Sequence, residues 1–280
     1  MRRLVQAHAL AALVIAAGSV AAHAEIDVDL ELVLAVDVSH SMDYQEQQLQ
    51  RDGYVAAFRD PEVRRAIGLG PRGRIAVTYL EWSGADTQHV VVPWTLIDSP
   101  LAAEAFAERL AARPVARGHT TSLSGALAFA ARHLEEGPFR AARRVIDISG
   151  DGINNAGAPV DLVRDRIVAD GVVINGLPIL EINAYQDPEI PGLDVYYSRC
   201  VIGGGGAFVI PVRARSDFAS ATRQKLLLEI SLLGSEPRLL KAQHTPPDRG
   251  FNCRTGGWHR PQAESRWFRL CVAMGICEPR

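Results

Sequence analysis

The chain has 280 residues, of which 48% are hydrophobic and 22% are charged, so it is long enough to bury one sizeable core. Its formal net charge is −2, and only Lys225 and Lys241 among its 30 cationic residues are lysines. No run of five or more basic residues occurs, which excludes a polyanion-binding tail, and no nucleic-acid partner is expected.

The first 24 residues have the pattern of a secretory signal peptide. Arg2 and Arg3 precede an apolar run from Ala9 to Ala22, and a small-x-small cleavage sequence ends at Ala24. A membrane anchor is the alternative, but this run is shorter than the roughly 20 residues that a membrane-spanning helix needs. We therefore expect cleavage after Ala24, a periplasmic or secreted protein, and no stable membrane insertion of the mature chain.

The first element after this segment is a predicted strand that ends in polar residues. An apolar run from Leu30 predicts a buried strand, and Asp37, Ser39 and Ser41 follow it. The segment Asp43–Arg59 is expected to form a helix. The elements expected after a break at Pro61 are, in chain order, strands over 73–82 and 87–94, helices over 98–113 and 124–134, a strand over 143–149, a helix over 159–169, a strand over 172–180 and a final helix over 217–233.

Strands that alternate with helices predict an α/β fold, a doubly wound and mainly parallel sheet with helices on both faces. The short link at 83–86 makes its two flanking strands an antiparallel hairpin, so one antiparallel edge strand is expected. The sequence predicts a domain over 25–233 and a loop-rich, Pro- and Cys-rich appendage over 234–280, whose role it leaves open.

The chain has four cysteines, all in its last third. An even number in an exported protein favours disulfides, and no Cys-x-x-Cys pair of the kind typical of zinc sites occurs. Four cysteines allow three pairings, among which the sequence does not choose. The residues are Cys200, Cys253, Cys271 and Cys277.

Oxygen-bearing side chains follow two predicted strands and begin one predicted helix. These residues are Asp37, Ser39, Ser41, Asp151 and Thr120 or Thr121. Because ligands collect beyond the carboxyl ends of strands in a doubly wound sheet, we expect these side chains to converge. Hydroxyl and carboxylate oxygens are hard ligands, so the sequence predicts a site for Mg²⁺, or for Mn²⁺ or Ca²⁺.

The Asp-x-Ser-x-Ser triplet at 37–41, a threonine after Gly118 and Ser149-Gly-Asp-Gly together resemble the metal-ion-dependent adhesion site of von Willebrand factor type A domains. This resemblance implies that two serines and one threonine contact a divalent cation, and that the two acids act largely through water. It also implies a protein partner whose Asp or Glu fills the open position, and hence a binding protein rather than an enzyme. These metal-site roles fall on Asp37, Ser39, Ser41, Thr121 and Asp151.

The resemblance narrows to an exported bacterial branch, the domain of unknown function numbered 1194. The stretches that carry it are Arg74–Trp82, Arg144–Asn155, Asn175–Ile179 and Tyr196–Gly204. Two positions depart from the adhesion-site pattern, since His40 stands where glycine is common and the threonine is doubled. The pattern Gly-x-Thr-Ser before Gly-Ala-Leu favours Thr121 over Thr120.

Two alternative functions remain open at this point. A Mg²⁺-dependent phosphohydrolase could use Asp37 as its nucleophile, but such enzymes need a second acid two residues on, where this chain has Ser39, and a lysine nearby. The other alternative is a structural scaffold that binds no metal and uses its appendage for contacts. Glu81 and Trp82, at a predicted strand end, are further candidates to line the metal face.

Overall fold

A five-stranded sheet of order β3-β2-β1-β4-β5 lies at the centre of the computed structural model, which describes residues 25–40, 42–180, 192–231, 251–255 and 257–258. The strands are β1 (Ile26–Asp37), β2 (Ile75–Trp82), β3 (Gln88–Ile97), β4 (Phe139–Gly150) and β5 (Val172–Pro178). β1 pairs in parallel with β2 and with β4, and β4 pairs in parallel with β5. β3 runs antiparallel to β2 at one edge, so the predicted architecture is confirmed.

The central strand β1 is buried on both faces. Leu32 and Leu34 pack into one apolar cluster, whereas Val33 and Ala35, which point the other way, pack into a second cluster. A strand with two buried faces reads as a continuous apolar run rather than an alternating one, which explains the composition of this segment.

The helices divide between these two clusters. Those on the Leu32 side are α1 (Tyr44–Arg59), α2 (Pro61–Gly68), α3 (Pro100–Ala111) and α7 (Phe218–Ser231). Those on the Val33 side are α4 (Leu123–Glu135), α5 (Val160–Ala169), α6 (Leu193–Tyr196) and a π-helical turn (Tyr197–Val201). Helices therefore cover both faces of the sheet, as expected for a doubly wound fold.

The helix α2 is absent from the sequence-based prediction, which placed a break at Pro61. Asp60 caps α2, because its carboxylate accepts hydrogen bonds from the backbone N–H groups of Glu62 and Val63 at 2.8 and 3.2 Å. Proline at the first turn of a helix loses no hydrogen bond, so Pro61 begins this helix instead of breaking it.

One disulfide joins Cys200, in the π-helical turn, to Cys253 near the C-terminus. The short strands β6 (Phe251–Asn252) and β7 (Gly257–Trp258) pair around it, and Phe251 is buried in the core. Cys271, Cys277, the predicted signal peptide and most of the predicted appendage lie outside the described residues. Within the described part of the chain, no helix combines the length and the apolar character that a bilayer span requires.

Candidate metal centre

Asp37 ends β1 with its side chain fully buried. Its Oδ1 accepts a hydrogen bond of 2.7 Å from the backbone N–H of Ser39, which is itself buried. Its Oδ2 is buried and forms no well-aligned hydrogen bond with a described residue, although the Ser39 hydroxyl and the Asp151 N–H lie close enough to lower the pKa of this carboxyl. Gly150 packs tightly here, since a Cβ at that position would lie 2.8 Å from Oδ2. One carboxylate oxygen is therefore fixed by the protein, and the other has an unmet need for a positive partner.

Burial, together with the nearby carboxylate of Asp151, raises the pKa of Asp37 to about 8. Hydrogen bonds from the N–H and hydroxyl of Ser39 and from the N–H of Asp151 offset only part of this effect. Two acids so close together in a poorly solvated place repel each other unless a proton or a cation lies between them. The electrostatics of this edge of the sheet thus favour a bound cation.

Thr121 lies in the loop before α4 and is 5% exposed. Its N–H donates to Oδ1 of Asn155 at 2.9 Å, and the N–H of Asn155 donates back to its carbonyl oxygen at 2.9 Å. The Thr121 side chain lies against Gly152, next to Asp151, because a Cβ at Gly152 would lie 3.4 Å from Thr121 Cγ2. This reciprocal pair fixes Thr121 to the loop that follows β4.

Thr120, the other candidate, is exposed and lies on a different side of the loop. A Cβ at Gly84, in the turn between β2 and β3, would lie 2.8 Å from the Oγ1 of Thr120. The hydroxyl of Thr120 therefore points to the β2–β3 turn, whereas Thr121 faces the turn that carries Asp151.

The structure brings four of the five predicted site residues to the carboxyl edge of the sheet. Gly118, before Thr121, donates its N–H to the Val38 carbonyl at 2.9 Å, and the ends of β1 and β4 are adjacent in register. The four residues are Asp37, Ser39, Thr121 and Asp151. Ser41, the fifth, lies outside the described residues, so its role stays a prediction.

Helix α1 supports this edge through a buried polar face. Gln47 donates to the carbonyl oxygen of Ser39 at 3.2 Å, and Gln50 donates to that of Asp37 at 3.3 Å. Both glutamines are buried, and with Arg51 they occupy positions i, i+3 and i+4 of one helical face. This spacing is visible in the sequence and is the signal by which these supporting residues could have been found.

Arg51 and Glu81 form a buried ion pair that supports the threonine loop, the segment 112–122 between α3 and α4 that carries Thr120 and Thr121. Arg51 also donates to the carbonyl oxygen of Arg113, and Glu81 accepts the N–H of Ala116 at 3.1 Å. Glu81 was a candidate to line the metal face, but the structure turns it toward Arg51. Burial raises its pKa, and the adjacent guanidinium opposes that shift.

Hydrogen bonds that no local sequence pattern predicts attach the loop after Asp151 to the start of α4. Oδ1 of Asn154 accepts the N–H of Ser124 at 2.9 Å, and the Ser122 hydroxyl donates to the carbonyl oxygen of Ala156 at 2.9 Å. With the Asn155 pair described above, these bonds hold the turn that carries Asp151 next to the threonine loop.

Two histidines lie at the rim of this edge. His40 and His119 are exposed, and their ring centroids lie 6.1 Å apart. Within the described residues, no group of three or more His, Cys, Asp or Glu side chains is placed to hold a metal. A cation bound at Asp37 would therefore depend on hydroxyl oxygens as well as on carboxylates, which suits a hard ion.

The family model described as "Protein of unknown function (DUF1194)" matches residues 27–233. No curated protein matches the chain significantly. Proximal thread matrix protein 1 from the mussel byssus, solved with a zinc-occupied MIDAS motif, matches at 15% identity over 74% of this chain, with a TM-score of 0.51. The pilus adhesin SpaC from Lactobacillus rhamnosus GG matches at 12% identity over 72% of this chain, with a TM-score of 0.52.

A protein named as von Willebrand factor type A from Catenulispora acidiphila also matches, at 16% identity over 72% of this chain and 43% of its own, with a TM-score of 0.43. The chain spans about half of the mussel protein, at 49%, and 30% of the adhesin. At these identities the likeness shows the fold alone. The sheet order and the helices on both faces show a doubly wound α/β fold, like that of the mussel protein and the adhesin, and the match over 27–233 shows that the chain belongs to the DUF1194 family.

Proposed function

We propose that this chain is an exported binding protein that holds one divalent cation and uses it to capture an acidic residue of a partner protein. The proposed metal residues are Asp37, Ser39, Ser41, Thr121 and Asp151. The observation that carries the proposal is the buried Oδ2 of Asp37, which forms no well-aligned hydrogen bond in the described part of the chain and lies at an edge shared with Ser39, Thr121 and Asp151.

The chemistry of these donors supports capture rather than turnover. Ser39 and Thr121 would contribute neutral oxygens, while Asp37 and Asp151 would balance the charge of the ion and orient bound water. A cation with mostly neutral ligands stays electrophilic, so it supplies an attachment point for an outside carboxylate. The buried contacts of α1 keep the backbone of Asp37 and Ser39 in place for such a ligand.

A phosphohydrolase that uses Asp37 gains no support from the structure. Lys225, the lysine among the described residues, belongs to α7, where its side chain is fully buried and forms an ion pair with Asp147. It therefore supplies no charge at the edge where Asp37 lies. The scaffold alternative would leave the buried Oδ2 of Asp37 without a purpose, so cation-dependent binding remains the function that the site supports best.

Calorimetric titration of the chain from Glu25 onward with Mg²⁺, Mn²⁺, Ca²⁺ and Zn²⁺ tests the metal site; Zn²⁺ is included because the mussel protein was solved with zinc in its motif. We expect binding by the wild type and none by the double variant Asp37→Ala, Ser39→Ala. Thr121→Ala should weaken binding, whereas its neighbour Thr120→Ala, the matched control, should leave it unchanged. Equal titrations of the wild type and the double variant would contradict the proposal.

Pull-down from a periplasmic extract tests the partner. A partner protein should be retained in the presence of Mg²⁺, released by EDTA, and absent when the double variant is the bait. Retention that is insensitive to EDTA and to both substitutions would refute capture through the cation. Mass measurement of the exported protein should place its N-terminus at Glu25 if the predicted cleavage occurs.

A further inference from the structure

A cleft of about 410 Å³ lies beside the candidate metal centre. One wall is the loop Asn154–Pro159, which begins three residues after Asp151, and the other wall is formed by Cys253 and Arg254. The family match ends at residue 233, so the second wall lies outside the matched region.

Both walls of the cleft are held in place. The disulfide to Cys200, which is fully buried, ties Cys253 to the π-helical turn, and Phe251 is only 6% exposed. The Tyr196 hydroxyl donates to the carbonyl oxygen of Cys253 at 3.2 Å and accepts the N–H of Asn154 at 3.2 Å. The disulfide thus fixes the C-terminal wall to the π-helical turn, and the Tyr196 hydroxyl connects that wall to the loop that follows Asp151.

The described lining of the cleft carries a positive charge, which comes from Arg254. Among the described residues that line the cleft, Arg254 is the ionisable one, and it is exposed. Its backbone N–H donates to Asn252, and its side chain takes part in no ion pair with any described residue. Since no acid among those described lining residues faces this guanidinium, a carboxylate is the chemical complement of this part of the cleft.

The separation of the cleft from the metal centre limits the form of the partner. Asn154 follows Asp151 by three positions, so the near end of the cleft lies within about 11 Å of Asp151 along the chain. An extended peptide covers about 3.3 Å per residue, so the same peptide can reach both places with acids roughly three to five positions apart.

We propose that this cleft is a second contact point for the partner. Its occupant is an extended acidic segment of a partner protein, with one carboxylate on the cation and a second, roughly three to five residues away, on Arg254. This inference rests on the proposed function, because the first carboxylate requires the metal centre.

Selection of peptides from a random heptapeptide display library on the immobilised chain, in Mg²⁺ and with elution by EDTA, tests the inference. Wild type should select peptides with two acids at this spacing, whereas Arg254→Glu should select a basic residue in place of the second acid. Arg65→Glu, an exposed arginine on α2, is the matched control and should select as wild type does. A synthetic two-acid peptide should bind Arg254→Glu about three- to tenfold more weakly, because an exposed ion pair contributes only a few-fold and charge reversal adds a similar repulsion.

The outcomes separate this inference from the proposed function. EDTA-released peptides that carry a single acid on every protein would overturn the second contact point and leave cation-dependent capture intact. Two-acid peptides that Arg254→Glu selects equally well would overturn the role of Arg254. Failure to recover any EDTA-released peptide would overturn both proposals.

Discussion

The pKa of Asp37 makes a quantitative prediction about cation binding. Burial raises this pKa from 3.8 to about 8 in the cation-free protein, so below pH 8 a cation must displace a proton from Asp37. Each pH unit below the pKa should therefore cost about a factor of ten in apparent affinity. Because Asp37 is half ionised at pH 8, we expect Mg²⁺ to bind about 50-fold more weakly at pH 6 than at pH 8, with little further gain above pH 8.5.

The sign of the stability effect follows from the same shift. Because the folded pKa lies above the unfolded value, the cation-free folded protein binds a proton that the unfolded chain releases between pH 4 and pH 8. Stability without a cation should fall as the pH rises through this window, and added Mg²⁺ should restore it most strongly near pH 8.

Isothermal titration calorimetry at half-unit intervals from pH 6 to pH 8.5, in two buffers with different ionisation enthalpies, measures both the affinity and the protons released. The control Asp37→Asn keeps the size of the side chain and removes its titration, so any residual binding should lose this pH dependence. An affinity that stays constant between pH 6 and pH 8, with no proton release, would refute the assignment of Asp37 to the metal centre.

Three further predictions concern the residues that support the site. Asn155→Ala removes the side-chain acceptor of the Thr121 N–H and keeps the backbone hydrogen bond between the two residues, so it should lower the unfolding free energy by about 1 kcal/mol in urea titrations, together with the Mg²⁺ affinity. Arg51→Met leaves Glu81 buried without its counter-charge and should cost about 3–5 kcal/mol, most of which the double variant Arg51→Met, Glu81→Leu should recover; a double variant as unstable as the single one would contradict this. Replacement of both Cys200 and Cys253 by alanine should destabilise the protein by about 2–4 kcal/mol, and an unchanged melting temperature would show that the disulfide closes no stabilising loop.

The sequence was sufficient to place the candidate residues at one edge of the sheet because their positions follow from strand direction. Asp37 and Asp151 come directly after parallel strands, and the carboxyl ends of parallel strands necessarily share an edge. Thr121 lies two residues before a helix that packs on the same sheet, so its arrival there also follows from topology. Local sequence patterns and strand connectivity are therefore enough to predict that these three residues meet at one edge of the sheet.

The supporting contacts could not be predicted in the same way. Asn155 pairs with Thr121 across 34 positions of sequence, and Glu81 pairs with Arg51 across 30 positions. Such bonds depend on how two loops or two elements approach each other, and no local periodicity records that approach. The helix α2 was missed for a different reason. Pro61 and the nearby glycines are typical of chain breaks, and only the capping residue Asp60 indicates that Pro61 begins a helix.

The two edges of the sheet limit how any partner can attach. Pro93 removes a backbone donor from β3, and the pairing of β3 with β2 changes register on both sides of Tyr79. Along the opposite edge, bridges such as Gly176 to Val209 and Ile179 to Val212 already cover β5. An incoming peptide therefore meets no straight, open ladder of hydrogen bonds on either side, so recognition by strand addition is disfavoured. A partner must instead be recognised through its own side chains, at the carboxyl edge of the sheet. The identity and spacing of the partner's side chains will therefore determine which partner binds.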